Sequence, residues 1–183
     1  MAGIVFLGPP GSGKGTQAQI LAQSLAIPHI STGEILREAI SNQTELGKQA
    51  KAYVDGGELV PDELLLDLIR ERLTQPDAQT GWILDGFPRN IAQAAFLDEL
   101  LAELGQSCQW AIDLKVPQAV LIQRLMLRGR KDDTEETIRR RLQVYEENTA
   151  PLIEYYQQRD KLLSIDGDLT PEEVAESLRV AVT

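Results

Sequence analysis

The sequence predicts an α/β fold in which a five-stranded parallel sheet carries helices on both faces. Two observations predict it. Short apolar runs alternate with amphipathic ones along the chain, as strand–helix–strand units require. The first apolar run leads straight into a glycine-rich turn, "GPPGSGKGT" at 8–16, that opens a helical pattern. The length of 183 residues, with 43% hydrophobic and 25% charged, suits one domain over 1–183 with a full core.

"AGIVFL" (2–7) is an unbroken apolar run, as in a parallel strand covered on both faces. Beyond the glycine turn, Ala18, Leu21, Ala22 and Leu25 share one helix face. "PHIST" is a short strand ending in a helix start, where Ser31 and Glu34 have capping-box spacing. A helix around 43–57 stops at Gly56 and Gly57, and Pro61 opens the next at its first position. "GWILDG" (81–86) is the third strand, followed by a helix over about 90–104 that stops at Gly105. "CQWAIDLKV" (108–116) is the fourth strand, and Pro117 opens a further helix. A long helical stretch over 134–159 is disturbed at Pro151. "KLLSID" is the fifth strand, and "TPEEVAESLRVAV" the closing helix, capped by Thr170 and Glu173. Segment 31–60 and the polar turn at 128–133 depart from the alternation, and such excursions often carry function.

Composition narrows the function. A net charge of −10 and a pI near 4.6 argue against a nucleic-acid partner. The apolar start lacks a basic flank, so it does not read as a signal peptide, and no run is long enough to span a membrane. One cysteine, Cys108, allows no internal disulfide, and one histidine, His29, leaves no ordinary zinc site. Cys108 reads as a core-strand thiol and His29 as a loop or strand-end imidazole. A soluble protein of a reducing compartment is expected.

The chemistry concentrates in three places. In the glycine turn, Gly8, Gly13 and Lys14 fit G-x-x-x-x-G-K-[ST], but Gly15 stands where the hydroxyl belongs and Thr16 comes one residue late. Backbone N–H groups and the helix start there point at phosphate oxygens, with Lys14 as a point charge. "WILD" ends a strand in Asp85, which places a carboxylate beside a phosphate-bound Mg²⁺. Arg124, Arg128, Arg130, Arg139, Arg140 and Arg141 are six of twelve arginines within eighteen residues. Guanidinium forks match phosphate oxygens, and a ring of them fits phosphoryl transfer. The plainer reading is a solvated face paired with Asp132, Asp133, Glu135 and Glu136. Arg128 is one turn beyond Arg124, and Arg141 falls near the start of the next helix. Arg37 and Arg89 each follow a strand end, so both could face the same cleft.

Taken in order, "GPPGSGKGTQ", "HISTGEILR", "GGELVPDELL", "LDGFPRNIAQ", "RLMLRGRKDDTEETIRRRL" and "IDGD" resemble the adenylate kinase family over nearly the whole chain. The turn at 128–133 looks like the family's short-lid form. The resemblance implies a P-loop kinase fold with a helical NMP-binding excursion at 31–60 and a short lid at about 125–135. It implies the reaction ATP + AMP ⇌ 2 ADP. In this family glycine follows the lysine, because Mg²⁺ is held by nucleotide phosphates and water, with Asp85 acting through those waters. By resemblance, Gly11, Ser12, Gly13, Lys14, Gly15 and Thr16 cradle the ATP phosphates, with Arg124, Arg128 and Gly167 also on ATP. Thr32, Arg37, the backbone of Glu58, Leu59 and Val60, then Gly86, Phe87, Pro88, Arg89 and Gln93 hold AMP. Arg130 and Arg141 clamp phosphates when the lid shuts. Lys14, Arg89, Arg124, Arg128, Arg130 and Arg141 stabilise the transferring phosphoryl group.

A transfer of this kind needs positioning and spread positive charge more than a strong base. Water must be kept out, and the two excursions would close as mobile lids, a motion for which adenylate kinases are the usual example. Asn90 after "DGFPR" is shared with UMP/CMP kinases, so a pyrimidine acceptor is the competing reading. Thr32 and Gln93 point to adenine, since a Gln amide can pair with its N1 and N6 edge. The resemblance further implies a cytoplasmic monomer with ATP, AMP and ADP as its partners, no nucleic acid, no membrane and no structural zinc.

Overall fold

The unbroken apolar run at the start of the chain needs cover on two faces, and it takes the centre of the sheet. This strand, β1 (Ala2–Leu7), pairs in parallel with β3 (Gly81–Asp85) on one side and β4 (Trp110–Lys115) on the other. β2 (His29–Ser31) and β5 (Leu162–Asp166) form the edges, giving the order β2-β3-β1-β4-β5. All pairings are parallel, so every strand's carboxyl end lies along one edge of the sheet. The structure is a computed structural model and describes residues 2–183.

Alternate residues of the central strands feed two cores. Ile4, Phe6, Ile83, Ile112 and Leu114 meet α1 (Lys14–Leu25) and α9 (Pro171–Val182) on one face. Val5, Leu7, Trp82, Leu84 and Ala111 face the larger core. That core is completed by α2 (Thr32–Ser41), α4 (Asp62–Leu73), α5 (Ile91–Glu103) and α8 (Pro151–Gln157). Burial on both faces is what an uninterrupted apolar strand requires. A third, small cluster of Leu121, Leu125, Ile138 and Leu142 joins α6 (Gln118–Arg128) to α7 (Glu135–Val144). The cluster brackets the 128–133 turn between the two helices, with Val116 and Ile122 packed against it. α3 (Glu45–Asp55) completes the helical excursion between β2 and β3.

Several boundaries differ from expectation for identifiable reasons. Pro61 and Pro117 stand one residue before their helices, as N-caps, where the extended backbone of proline fits and no N–H is needed. Cys108 is buried but lies two residues ahead of β4 rather than within it, although Gln109 N–H already donates to the Gly3 carbonyl of β1. Arg141 belongs to the last turn of α7, not its start, because Thr134 caps that helix seven residues before it. Both halves of the capping box form at Thr170 and Glu173. At Ser31 the hydroxyl accepts from Glu34 N–H at 3.3 Å, while Glu34 itself lines the central cleft. The stretch 134–159 is not one regular helix. After α7 it widens into a π-turn over Tyr145–Thr149, with Ala150 N–H donating five residues back to Tyr145 O, before Pro151 starts α8. A proline ring cannot sit against the carbonyl four residues earlier, and the wider turn relieves that clash.

Candidate active site

A cleft of about 530 Å³ opens along the carboxyl edge of the sheet. This edge is where open α/β sheets bind ligands, outside the strand ends and beside the first helix. Three strand ends supply it. β1 runs into the phosphate loop, β2 into Thr32, and β3 into Asp85 and Gly86.

The phosphate loop is fixed by backbone. Ser12 N–H donates to Pro9 O at 3.1 Å, and the Lys14 ammonium donates to Gly8 O and Pro9 O at 2.8 and 3.1 Å. Burial pulls the Lys14 ammonium down to about 8, against the raising effect of Asp85. Burial opposes the charge of Asp85 in turn, yet neighbouring His29 and Lys14 hold its carboxyl below the usual carboxylate range. His29 Nε2 lies 3.5 Å from Asp85 Oδ2. Gly15, where the phosphate-loop pattern has a hydroxyl, lies directly beside Asp85: a Cβ there would stand 3.5 Å from Asp85 Oδ2, in ordinary contact. Arg124 braces the loop from behind, donating to Gly11 O at 3.4 Å and to Gly167 O at 3.0 Å.

The opposite end of the cleft gathers Thr32, Arg37, Glu58, Leu59, Val60, Gly86, Pro88, Arg89 and Gln93. Gly86 has φ of 90°, and a Cβ there would come within 2.5 Å of Thr32 Oγ1, so only glycine lets these two strand ends meet. Arg89 is held three ways. Its Nε donates to Gly86 O at 2.7 Å, its N–H to Gln93 Oε1 at 2.7 Å, and its carbonyl accepts from Thr149 Oγ1 at 2.7 Å. Gln93 is buried, and its Nε2 donates to Asp62 Oδ1 at 2.7 Å. Asn90 caps α5 by accepting from Gln93 N–H at 2.8 Å, a backbone duty independent of any base.

Between the two ends, the 128–133 turn folds its own acids onto its arginines. Asp133 takes Arg128 Nε and Nη2 at 2.7 and 2.5 Å, Arg141 Nη1 at 3.1 Å and the Arg130 N–H at 3.1 Å. No part of the Asp133 side chain is exposed. Asp132 pairs with Arg141. Burial, followed by crowding from Arg128, Arg89, Arg130 and Arg37, pulls Arg141 down to about 10, and it remains charged at neutral pH. Burial lowers Arg37 and Arg130 as well, with Arg128 adding to both. A site that crowds cations in this way is built to receive anionic oxygens.

The structure thus brings Gly11, Gly13, Lys14, Gly15, Thr16, Asp85, Arg124, Arg128, Arg130 and Arg141 to one cleft with the residues of the opposite end. Three expected residues do not line it. Ser12 is buried beneath the loop, the Phe87 ring is in the larger core, and Gly167 reaches the site only through Arg124. Arg139 and Arg140 face away, paired with Glu135 and Glu58, as the plainer reading of the arginine run holds for them. The sequence reading missed Asp62, Thr149 and Tyr145. Asp62 and Thr149 act across 31 and 60 residues, and Tyr145 lines the cleft from the π-turn. Nothing in their local sequence marks them. Among the described residues no group of three or more His, Cys, Asp or Glu could hold a metal ion, and no helix is long and apolar enough to cross a membrane.

Comparison with known proteins agrees with this geometry. The sequence profile described as adenylate kinase matches residues 6–161. Adenylate kinase 1 of Nostoc sp. is 59% identical over 182 residues, covering 100% of this chain and 99% of that protein. Adenylate kinase 1 of Synechocystis sp. is 61% identical, covering 98% and 96%. Adenylate kinase of Thermobifida fusca is 51% identical, covering 98% and 97%. With a profile match over most of its length and relatives aligned from end to end, the chain belongs to the adenylate kinase family.

Proposed function

We propose that the chain catalyses ATP + AMP ⇌ 2 ADP, with Mg²⁺ entering on ATP. One observation carries the reading: Lys14 and the guanidinium groups of Arg37, Arg89, Arg124, Arg128, Arg130 and Arg141 line a single cleft that joins a phosphate loop to a second, base-sized end. Binding one nucleotide does not call for that much converging charge.

ATP lies with its phosphates on the loop, cradled by Gly11, Ser12, Gly13, Lys14, Gly15 and Thr16, with its base toward Arg124 and Gly167. AMP lies between Thr32, Arg37, Glu58, Leu59, Val60, Gly86, Phe87, Pro88, Arg89 and Gln93. Ser12 and Phe87 act through their backbone, since their side chains are buried. An AMP phosphate oxygen forms a bond to the γ-phosphorus as the bond from that phosphorus to the β-bridging oxygen breaks, and both products are ADP. The attacking phosphate is already ionised, so no base is needed. Lys14, Arg128 and Arg141 face the charge spread over the transferring oxygens. The metal site fits the family's pattern, because Asp85 offers an ionised carboxylate beside Gly15 and Lys14. Asp85 would hold the ion through water, and the ion would supply further charge neutralisation on the phosphates.

Segments 31–60 and about 125–135 act as the two lids that exclude water. Membership of the adenylate kinase family supports a monomer. The net charge of −10 supports small anionic substrates recognised locally rather than a nucleic-acid partner, and the lone cysteine suits a reducing, cytoplasmic setting. The test is coupled detection of ADP from Mg-ATP with AMP, UMP, CMP and GMP in parallel. Turnover with AMP well above the others is expected. A preference for UMP or CMP would overturn the acceptor assignment.

A further inference from the structure

The Gln93 amide has an orientation that its neighbours dictate. A carboxylate can only accept, so the atom facing Asp62 Oδ1 at 2.7 Å must be the NH₂ group. A backbone N–H can only donate, so the atom facing Arg89 N at 2.7 Å must be the carbonyl oxygen. A Gln amide has two N–H donors and two acceptor lone pairs. One of each is consumed here, leaving one N–H and one lone pair for a ligand in the cleft that Gln93 lines.

That remainder matches one class of base. A 6-aminopurine presents an acceptor at N1 and a donor at the 6-amino group, which an amide of fixed hand can answer. A 6-oxopurine presents the reverse, a donor at N1–H and an acceptor at O6. An unconstrained glutamine could serve either by turning its amide over. In this site, turning it over would set NH₂ against the Arg89 N–H and the amide oxygen against the Asp62 carboxylate. Both contacts would be repulsive, in a side chain only 1% exposed.

We propose that Asp62 is a specificity-determining positioning residue: it locks the Gln93 amide in the hand that accepts 6-aminopurine nucleotides and rejects 6-oxopurine ones. Specificity here comes from a disfavoured alternative as much as from a favoured contact. Asp62 touches no substrate in this account. It occupies the first position of α4, directly after Pro61 and just beyond the excursion at 31–60. The inference rests on the assignment of Gln93 to the adenine of AMP.

The experiment compares kcat/KM for AMP and IMP, which differ at this edge and nowhere else, in the wild type, Asp62→Asn, Asp62→Glu and Gln93→Leu. An asparagine can donate or accept, so Asp62→Asn is expected to raise the IMP-to-AMP ratio at least about tenfold. AMP itself should lose no more than a few fold, and KM for ATP should stay put. Asp62→Glu keeps an acceptor-only group and should restore the wild-type ratio. Thermal melts establish that each variant is folded. Should Asp62→Asn be unstable, Asp62→Ser offers a two-way hydrogen-bonding group that suits a helix start, with the same expectation. An unchanged ratio in the folded variant, with Gln93→Leu still weakening AMP, overturns the role of Asp62. If Gln93→Leu leaves KM for AMP unmoved, the assignment of Gln93 to adenine fails, and the orientation argument goes with it.

Discussion

The two sides of the cleft hold their cations by different means. On the phosphate-loop side, Lys14 is fixed by carbonyls of its own loop, and Arg124 by those of Gly11 and Gly167. On the 128–133 side, Arg128 and Arg141 are held by the carboxylates of Asp132 and Asp133. Carbonyls of a short glycine loop cannot leave without unfolding it. Carboxylates on a polar turn can exchange with phosphate oxygens of the same charge and similar geometry. One side is therefore a fixed template, and the other a set of charges parked on internal anions until a nucleotide arrives. A cleft that must bind, exclude water and then release product needs both kinds.

The fixed side is where the largest effect is expected. Lys14→Met should leave the thermal transition near that of the wild type and lower kcat/KM by at least about 10²-fold, as for loss of one key electrostatic group. Near-normal turnover in a folded variant would remove the lysine from the phosphate site. On the exchangeable side, Asp133→Ala takes the common partner from Arg128, Arg141 and the Arg130 N–H. Asp133 yields these charge-assisted hydrogen bonds, worth about 1.5–3 kcal/mol, when phosphate arrives, so its loss should lower KM for Mg-ATP, by up to roughly tenfold. A roughly tenfold fall in kcat with KM unmoved would instead mean that Asp133 holds the arginines in place through turnover.

A pH profile separates the sides more gently. The Lys14 ammonium is the active form, and burial brings its pKa to about 8. Activity should therefore be full below that value and fall as pH rises through it, with kcat/KM for Mg-ATP lower by about half at pH 8. Arg141, at about 10, titrates well above Lys14, so a profile flat to about pH 9 would show that Lys14 does not govern productive binding. The smallest effect is expected at the outer pair of Arg140 with Glu58, which joins α7 to the excursion at the surface. Arg140→Ala should leave the denaturant midpoint close to that of the wild type. A larger loss would make this pair a hinge restraint rather than a surface ion pair.

The sheet was readable because parallel strands buried on two faces leave unbroken apolar runs, and because glycine and proline mark most of the ends. "AGIVFL" and "GWILD" needed nothing else. The phosphate loop and Asp85 were readable for a related reason: each depends on residues adjacent in sequence. Long-range pairings left no such trace. That Asp62 answers Gln93, or that Thr149 answers the Arg89 carbonyl, follows from how α4, α5 and the π-turn pack. The acids of "RGRKDD" were visible, but whether they meet solvent or the arginines of the cleft is a tertiary outcome. Asn90 shows the opposite hazard, since a residue that seemed to bear on the choice of base turned out to cap a helix.

The π-turn at Tyr145–Thr149 has a consequence for how the chain tolerates changes of length. A ring closed five residues back holds one residue more than an α-turn, while the helices before and after it keep their own faces. Removing one residue there would let a plain α-turn close only if Pro151 were replaced as well, since its ring clashes with the carbonyl four residues earlier. With both changes Ile138 and Leu142 would still face α6, Leu152 and Tyr156 would stay in the larger core, and the reach of Thr149 to Arg89 would go. The segment is a vernier between scaffold and cleft: a deletion paired with Pro151→Ala would spare the architecture and register as a defect in acceptor binding.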